Sequence, residues 1–183
     1  MTRMLLETGE HEILEACRRG EREAFRALFE AYKDHVYSIA LRFTGDESLA
    51  MDIAQDTFLK LFSSLREFRG EAQFATFVYR MVVNACLDYK RRAWRLAPLA
   101  DGLVAMLRAP GDSLRSLLDD EMRERVRAAV ETLSPDMRMV VVLRYTEGLA
   151  YEEIAEVMGC SAGTVASRLN RAHKALERKL SHV

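Results

Sequence analysis

The sequence has few of the features that mark disulfide-linked or metal-binding proteins. Only three cysteines occur in 183 residues, Cys17, Cys86 and Cys160; they lie far apart, form no C-x-x-C pair and have no histidine at ligand spacing. This pattern argues against a disulfide framework and against a zinc site. We therefore predict reduced thiols, and neither a metal nor another cofactor.

Long apolar runs are also missing. No stretch approaches the roughly 20 apolar residues that a membrane-spanning helix needs, and Met1 to Glu10 has no basic start followed by an apolar segment. We expect a cytoplasmic protein without direct membrane insertion.

A strong excess of charge of either sign is absent, since the formal net charge is −1. Nucleic-acid-binding proteins are usually more basic than this. The basic residues are unevenly distributed, however: from Arg168 to the C-terminus five of them face one acid, Glu177. A second basic cluster closes the first half: Lys90, Arg91, Arg92 and Arg95. Two separated basic patches indicate DNA contacted at two places, with acidic surface left for another partner.

Proline is rare, and two of the three prolines lie in one segment, Ala97 to Gly111. On both sides of it the apolar residues recur at helical spacing, and no sustained alternation indicates a strand. With 49% apolar and 30% charged residues, the chain is composed like a folded protein. We predict an all-α protein of two small helical domains, residues 1–94 and 120–183, joined by a flexible linker, 95–119.

Aromatic residues are concentrated in the first half, where all eight phenylalanines precede residue 80. Three amphipathic stretches predict helices there, one ending before Gly45 and the next starting at an Asp46 cap. In the second half Ser134-Pro135 is typical of a helix start. The helix that follows should end near Tyr145, with two shorter helices around Gly159. About four helices are expected in each half.

The segment from Tyr151 to Asn170 is typical of a helix-turn-helix. Ala155 is small where two helices cross, and Gly159 follows four residues later at a sharp turn. Ser161 is placed to cap the second helix. That helix has an apolar stripe and an opposite polar face suited to a major groove: Thr164, Ser167, Arg168 and Arg171. An ordinary helical hairpin is the alternative, and the arginines could contact phosphates rather than bases.

Two polar patterns stand out in the first half. Asp52, Gln55 and Asp56 form a compact acidic and amide patch opposite an apolar helix face. Arg80, Asn84 and Asp88 are spaced by four residues, so they form one stripe that leads toward the basic cluster.

Three segments resemble the extracytoplasmic-function branch of bacterial RNA polymerase sigma factors, in that family's order. They are DIAQDTFLKLF (52–62), FRGEAQFATFVYRMVVNACLDYKRR (68–92) and LSPDMRMVVVLRYTEGLAYEEIAEVMGCSAGTVASRLNRA (133–172). Ala150, where the family often has serine or threonine, and Cys160 at the turn are departures.

The resemblance implies a non-enzymatic subunit with core RNA polymerase and promoter DNA as partners, and an anti-sigma factor as a regulator. It implies that Asp52, Gln55 and Asp56 dock on the clamp helices of the largest polymerase subunit. The minus-10 element would be held by Arg69, Arg80, Asn84, Asp88, Arg91 and Arg92. The minus-35 element would be contacted by Ser161, Thr164, Ser167, Arg168 and Arg171. No small-molecule substrate is expected, and the free chain should be a monomer.

Two other classes of function remain open from the residues. A stand-alone helix-turn-helix regulator would use the aromatic half for dimerisation or ligand binding. The sequence gives little support for an enzyme, since the four histidines are scattered and no phosphate-binding loop occurs.

Overall fold

The structure, a computed structural model, describes residues 10–65, 68, 73–96 and 117–181. In these ranges the chain forms eight α-helices and no strand, which confirms the predicted all-α class. The helices are α1 (Glu10–Arg18), α2 (Arg22–Thr44), α3 (Glu47–Ser64), α4 (Phe74–Leu96), α5 (Leu117–Glu131), α6 (Pro135–Tyr145), α7 (Tyr151–Met158) and α8 (Ala162–Leu180).

These helices group into two compact units, made mainly of residues before and after Cys86. Two units agree with the two domains expected from the sequence. The predicted boundaries at residues 94 and 120 stay predictions, because most of the predicted linker, 97–116, lies outside the described residues.

The connection between α2 and α3 is built from two residues with distinct roles. Gly45 ends α2 with a φ of 73°, and its N–H donates to the Leu41 carbonyl at 2.8 Å. This left-handed conformation is one that glycine adopts without a steric penalty. Asp46 then caps α3, its carboxylate accepting from the Leu49 N–H at 2.9 Å. Both sequence predictions at this turn are confirmed.

The core of the first unit is aromatic, as the distribution of phenylalanines predicts. Ring pairs join α2 to α3, with centroids 5.2 Å apart for Phe25 and Phe62 and 4.8 Å apart for Phe29 and Phe58. Tyr32 of α2 meets Phe74 of α4 at 5.7 Å. Such tilted and edge-on pairs add to the stabilisation from area burial alone.

The second unit is assembled around α8, which packs against α5 and α6. Ser134 caps α6 by accepting from the Met137 N–H at 3.4 Å, and Pro135 occupies the first helical position. This helix ends at Tyr145, as expected. The fully buried side chains of this core are apolar and include Met139, Val140, Leu143, Ile154, Val165 and Ala172.

The three cysteines are free thiols, of which Cys17 and Cys86 are buried and Cys160 is half-buried. Burial raises the pKa of the Cys86 thiol to about 12. Across the described ranges no three histidine, cysteine or carboxylate side chains are grouped as a metal site. No helix there has both the length and the apolar character needed to span a membrane.

Candidate nucleic-acid interface and acidic surface

The helix-turn-helix is formed by α7, a three-residue turn and α8. Gly159 adopts a φ of 63°, and the Cys160 N–H donates to the Ala155 carbonyl at 3.0 Å, which closes the turn. Ile154 of α7 and Val165 of α8 are fully buried. The local pattern of small, turning and apolar residues therefore folds as the predicted helix-turn-helix, but α8 has 19 residues and is longer than the short helix expected after Gly159.

The N-terminus of α8 is capped by a predicted site residue. The Ser161 side chain accepts from the Thr164 N–H at 3.1 Å, and the two hydroxyl oxygens lie 2.9 Å apart. Ser161 is exposed and Thr164 is half-buried. A capped helix N-terminus carries a partial positive charge that favours phosphate groups.

The two arginines predicted on the outer face of α8 are placed differently. Arg171 is exposed, and its Nε donates to the carbonyl of Ser167, itself exposed, at 3.4 Å. Arg168 is only 20% exposed and donates to the Asp136 carboxylate on α6 at 2.7 Å. The structure therefore brings Ser167 and Arg171 together at the surface and directs Arg168 toward α6. Nothing in the local sequence marks Asp136, 32 residues away, as its partner.

Beyond Arg171 the exposed side of α8 is dominated by positive charge. Lys174, Arg178 and Lys179 are all exposed there, with Glu177 as the accompanying acid. Cations near a helix C-terminus are favourable for the helix itself. They also make this end of the helix attractive to a polyanion.

The residues predicted to contact the minus-10 element follow one side of α4. Asn84, Asp88, Arg91 and Arg92 are exposed, Arg80 is half-buried, and the opposite side of the helix is buried through Val78 and Val82. Asp88 lies 3.4 Å from Arg91, an ion pair with both partners more than half exposed. Arg69 lies outside the described residues.

The aromatic residues near this stripe differ in their burial. Phe74 is buried and Phe77 half-buried, and both pack on the ring of Phe68, at 5.3 and 4.9 Å. Tyr89 is 38% exposed, in keeping with a surface position. Tyr79 is half-buried, and its ring contacts His35 with centroids 6.3 Å apart.

The acidic patch on α3 is exposed over its full predicted extent. Asp52, Gln55 and Asp56 all face solvent, while Ile53 and Phe58 are buried.

Two apolar side chains border the patch, and sequence reasoning missed them. Met51 is 58% and Leu59 61% exposed. Leu59 lies three residues after Asp56, on the same side of the helix. Its position off the buried stripe was the signal that could have identified it. The surface is therefore a mixture of carboxylate, amide and apolar groups.

Comparison with known proteins identifies two families in this chain. The Sigma-70 region 2 family matches residues 28–96, and the Sigma-70, region 4 family matches residues 123–176. The chain is 32% identical to the RNA polymerase sigma-H factor of Pseudomonas aeruginosa over 186 aligned positions, which cover 97% of this chain and 96% of that one. It is 33% identical to the ECF RNA polymerase sigma-E factor of Escherichia coli over 177 positions, 92% of each chain.

Two solved structures share the fold. One is the sigma factor RpoE in complex with the anti-sigma factor NepR from Bartonella quintana, with a TM-score of 0.70, 23% identity and coverage of 86% of this chain and 97% of that one. The other is CnrH in complex with the cytosolic domain of CnrY, with a TM-score of 0.68, 24% identity and coverage of 92% and 95%.

Proposed function

Because this chain belongs to the extracytoplasmic-function family of RNA polymerase sigma factors, we propose that it directs core RNA polymerase to a restricted set of promoters and helps to initiate transcription there. It acts by binding, not as an enzyme, and it does so in the cytoplasm. Its partners are core polymerase, promoter DNA and an anti-sigma factor. The anti-sigma proposal is supported by the sigma factor of similar fold that was solved in complex with an anti-sigma factor.

The observation that carries this proposal is the division of α8 into a buried and a cationic side. Val165, Leu169 and Ala172 anchor the helix in its unit. Ser167 and Arg171 stand outside, followed by further exposed cations. A helix held in this way can place its outer side chains against base edges in a major groove while neighbouring cations contact phosphates. We assign minus-35 recognition to this face.

The stripe on α4 is the proposed minus-10 surface. Asn84 offers a paired donor and acceptor, which suits the edge of a base. Arg91 and Arg92, together with Arg69 and Arg80, would hold the backbone of the opened strand, since guanidinium groups bind phosphates. Asp88, paired with Arg91, would orient that arginine.

The acidic surface on α3 is the proposed docking site for core polymerase. Asp52 and Asp56 would meet cationic side chains on the clamp helices, which favours association and correct register. Leu59 and Met51 would add apolar area that becomes desolvated in the complex. A mixed surface of this kind is better suited to a protein partner than a purely acidic one.

Two DNA contacts joined through a large partner explain the near-zero net charge of the chain. Each contact can be weak when it is made intramolecularly within an assembled complex, because the effective concentration is then high. The free chain, a monomer, should bind promoter DNA poorly.

The test is reconstitution with cognate core polymerase. We expect holoenzyme to transcribe from a restricted promoter set when genomic DNA is the template and the products are sequenced, whereas core alone should show no such selection. A chain that fails to associate with cognate core would contradict the proposal. A free chain that protects duplex DNA tightly without polymerase would favour the stand-alone regulator instead.

A further inference from the structure

Arg168 lies on α8, the helix assigned to the minus-35 element, and is near residues of the outer face in sequence. It follows Thr164 by four positions and precedes Arg171 by three, so the three residues share one side of α8. Its side chain is nevertheless 20% exposed. Arg171, in contrast, is exposed, and its Nε donates to the carbonyl of Ser167 on the same helix.

The guanidinium of Arg168 connects three elements of the second unit. One terminal nitrogen lies 2.7 Å from the Asp136 carboxylate in the first turn of α6. The other lies 3.7 Å from the Cys160 sulfur, in the turn that precedes α8. A planar guanidinium with a fixed fork of donors holds such partners in a defined geometry better than an ammonium group does.

Asp136 is well supported as the anchor of this contact. Ser134 caps the same helix and Pro135 occupies its first position, so the backbone around Asp136 is well defined. An acid in the first turn also interacts favourably with the helix dipole. The α6 end of the pair is therefore the first turn of a capped helix, to which α8 is joined through Arg168.

A DNA-contacting role for Arg168 would require this arrangement to be broken. The guanidinium would leave a short charge-assisted hydrogen bond. The Asp136 carboxylate, 49% exposed, would lose its cation near DNA phosphates, which is electrostatically unfavourable.

We infer that Asp136 and Arg168 are a positioning pair that sets the rotation and tilt of α8 relative to α6, and so determines how Thr164, Ser167 and Arg171 meet the minus-35 element. This inference rests on the proposed function. Arg168 then orients the helix, and the reading of DNA is left to Thr164, Ser167 and Arg171.

A charge exchange tests the pair in reconstituted holoenzyme. Asp136→Arg and Arg168→Asp should each lower promoter affinity about tenfold, since each places like charges side by side. The double variant should recover most of that loss, with its preference for the native minus-35 element restored. A double variant that binds as weakly as Arg168→Asp alone would show that Arg168 itself contacts DNA, and would overturn the inference.

The milder variant Asp136→Asn gives a second, independent readout that does not depend on a charge reversal being tolerated. Removing an acid near DNA should by simple electrostatics strengthen binding. A positioning role predicts the opposite, a loss of promoter affinity and of minus-35 preference while the circular dichroism spectrum is unchanged. Stronger binding by Asp136→Asn would refute the inference.

The proposed function and the positioning role of Arg168 can be tested separately. If wild-type holoenzyme selects no promoter, the proposed function is wrong and the inference falls with it. If wild type selects promoters but neither rescue nor the Asp136→Asn loss is seen, only the positioning role is wrong.

Discussion

The guanidinium of Arg18 donates a hydrogen bond to the backbone carbonyl of Phe68, fifty residues further along the chain. Its Nε also donates to the Leu65 carbonyl at 3.5 Å, where α3 ends. No basic residue lies in the last turn of α3 itself. Arg18 of α1 therefore supplies positive charge to the C-terminus of α3. The dipole of α3 favours a cation at that end. Phe68 is held at its backbone by Arg18 and at its ring by Phe77, 4.9 Å away.

Replacing Arg18 with alanine should lower the free energy of unfolding by about 1–3 kcal/mol, because two backbone carbonyls lose a charged donor. Arg19→Ala is the matched control. Its ion pair with Glu21 is exposed on both sides, 62% and 53%, and its loss should change stability by less than about 0.5 kcal/mol. Urea denaturation of both variants measures the difference, and equal stabilities would contradict the anchoring role.

Asp56→Ala should weaken association with core polymerase about tenfold while leaving the unfolding midpoint unchanged, because the side chain is exposed and lies on the proposed docking surface. Leu59→Ala should act in the same direction through lost apolar contact. Glu23→Ala, an exposed acid on α2, is the control and should bind core normally. Wild-type affinity of Asp56→Ala in a competition assay would refute the docking surface.

Arg171→Ala should weaken holoenzyme binding to the minus-35 element by roughly 1–3 kcal/mol if the side chain reads a base, and should relax selectivity at one base pair. Arg178→Ala, an exposed cation in the last turn of the same helix, should reduce affinity uniformly across sequences. Selection from a randomised promoter library distinguishes the two patterns. An unchanged base preference for Arg171→Ala would exclude base reading by that residue.

The Ser161 cap allows stability and DNA binding to be separated. Ser161→Ala removes the acceptor of the Thr164 N–H and should destabilise the second unit by about 1 kcal/mol. Ser161→Asp should keep the cap, and hence the stability, yet reduce promoter affinity, because its charge repels phosphates at that end of α8. Promoter binding by Ser161→Asp at the wild-type level would mean that this helix end does not approach DNA.

The thiols should differ in their reactivity toward an alkylating reagent near pH 8. Burial, with a smaller contribution from Glu21, raises the pKa of Cys17, and burial alone raises that of Cys86 to about 12. Because the thiolate is the nucleophile, both should be protected in the folded protein. Cys160 is half-buried and should react first. Mass spectrometry should show one rapid adduct in buffer and three in denaturant, and early labelling of Cys86 would contradict the structure.

The parts of the site that were predictable depend on residues close together in the chain. The caps at Asp46 and Ser161 each bond to an N–H three residues away, so residue type and order are sufficient to identify them. The same is true of the turn at Gly159 and of the exposed stripe at Asp52, Gln55 and Asp56. Residue type alone favours burial for Leu59 and Met51, so the exposure of Leu59 could be inferred only from its position off the buried stripe.

The sequence alone determines that this protein is helical, that it has two halves and that the second half contains a helix-turn-helix. Helical periodicity, caps and turns are local properties of the chain, so the order of residues is enough to identify them. The tertiary structure alone decided that Arg168 bonds to Asp136 and Arg18 to Phe68. Arg168 and Asp136 are 32 residues apart in the sequence, and Arg18 and Phe68 are 50 residues apart. Such contacts depend on how helices pack against one another, and a long flexible side chain acquires its partner only after that packing exists.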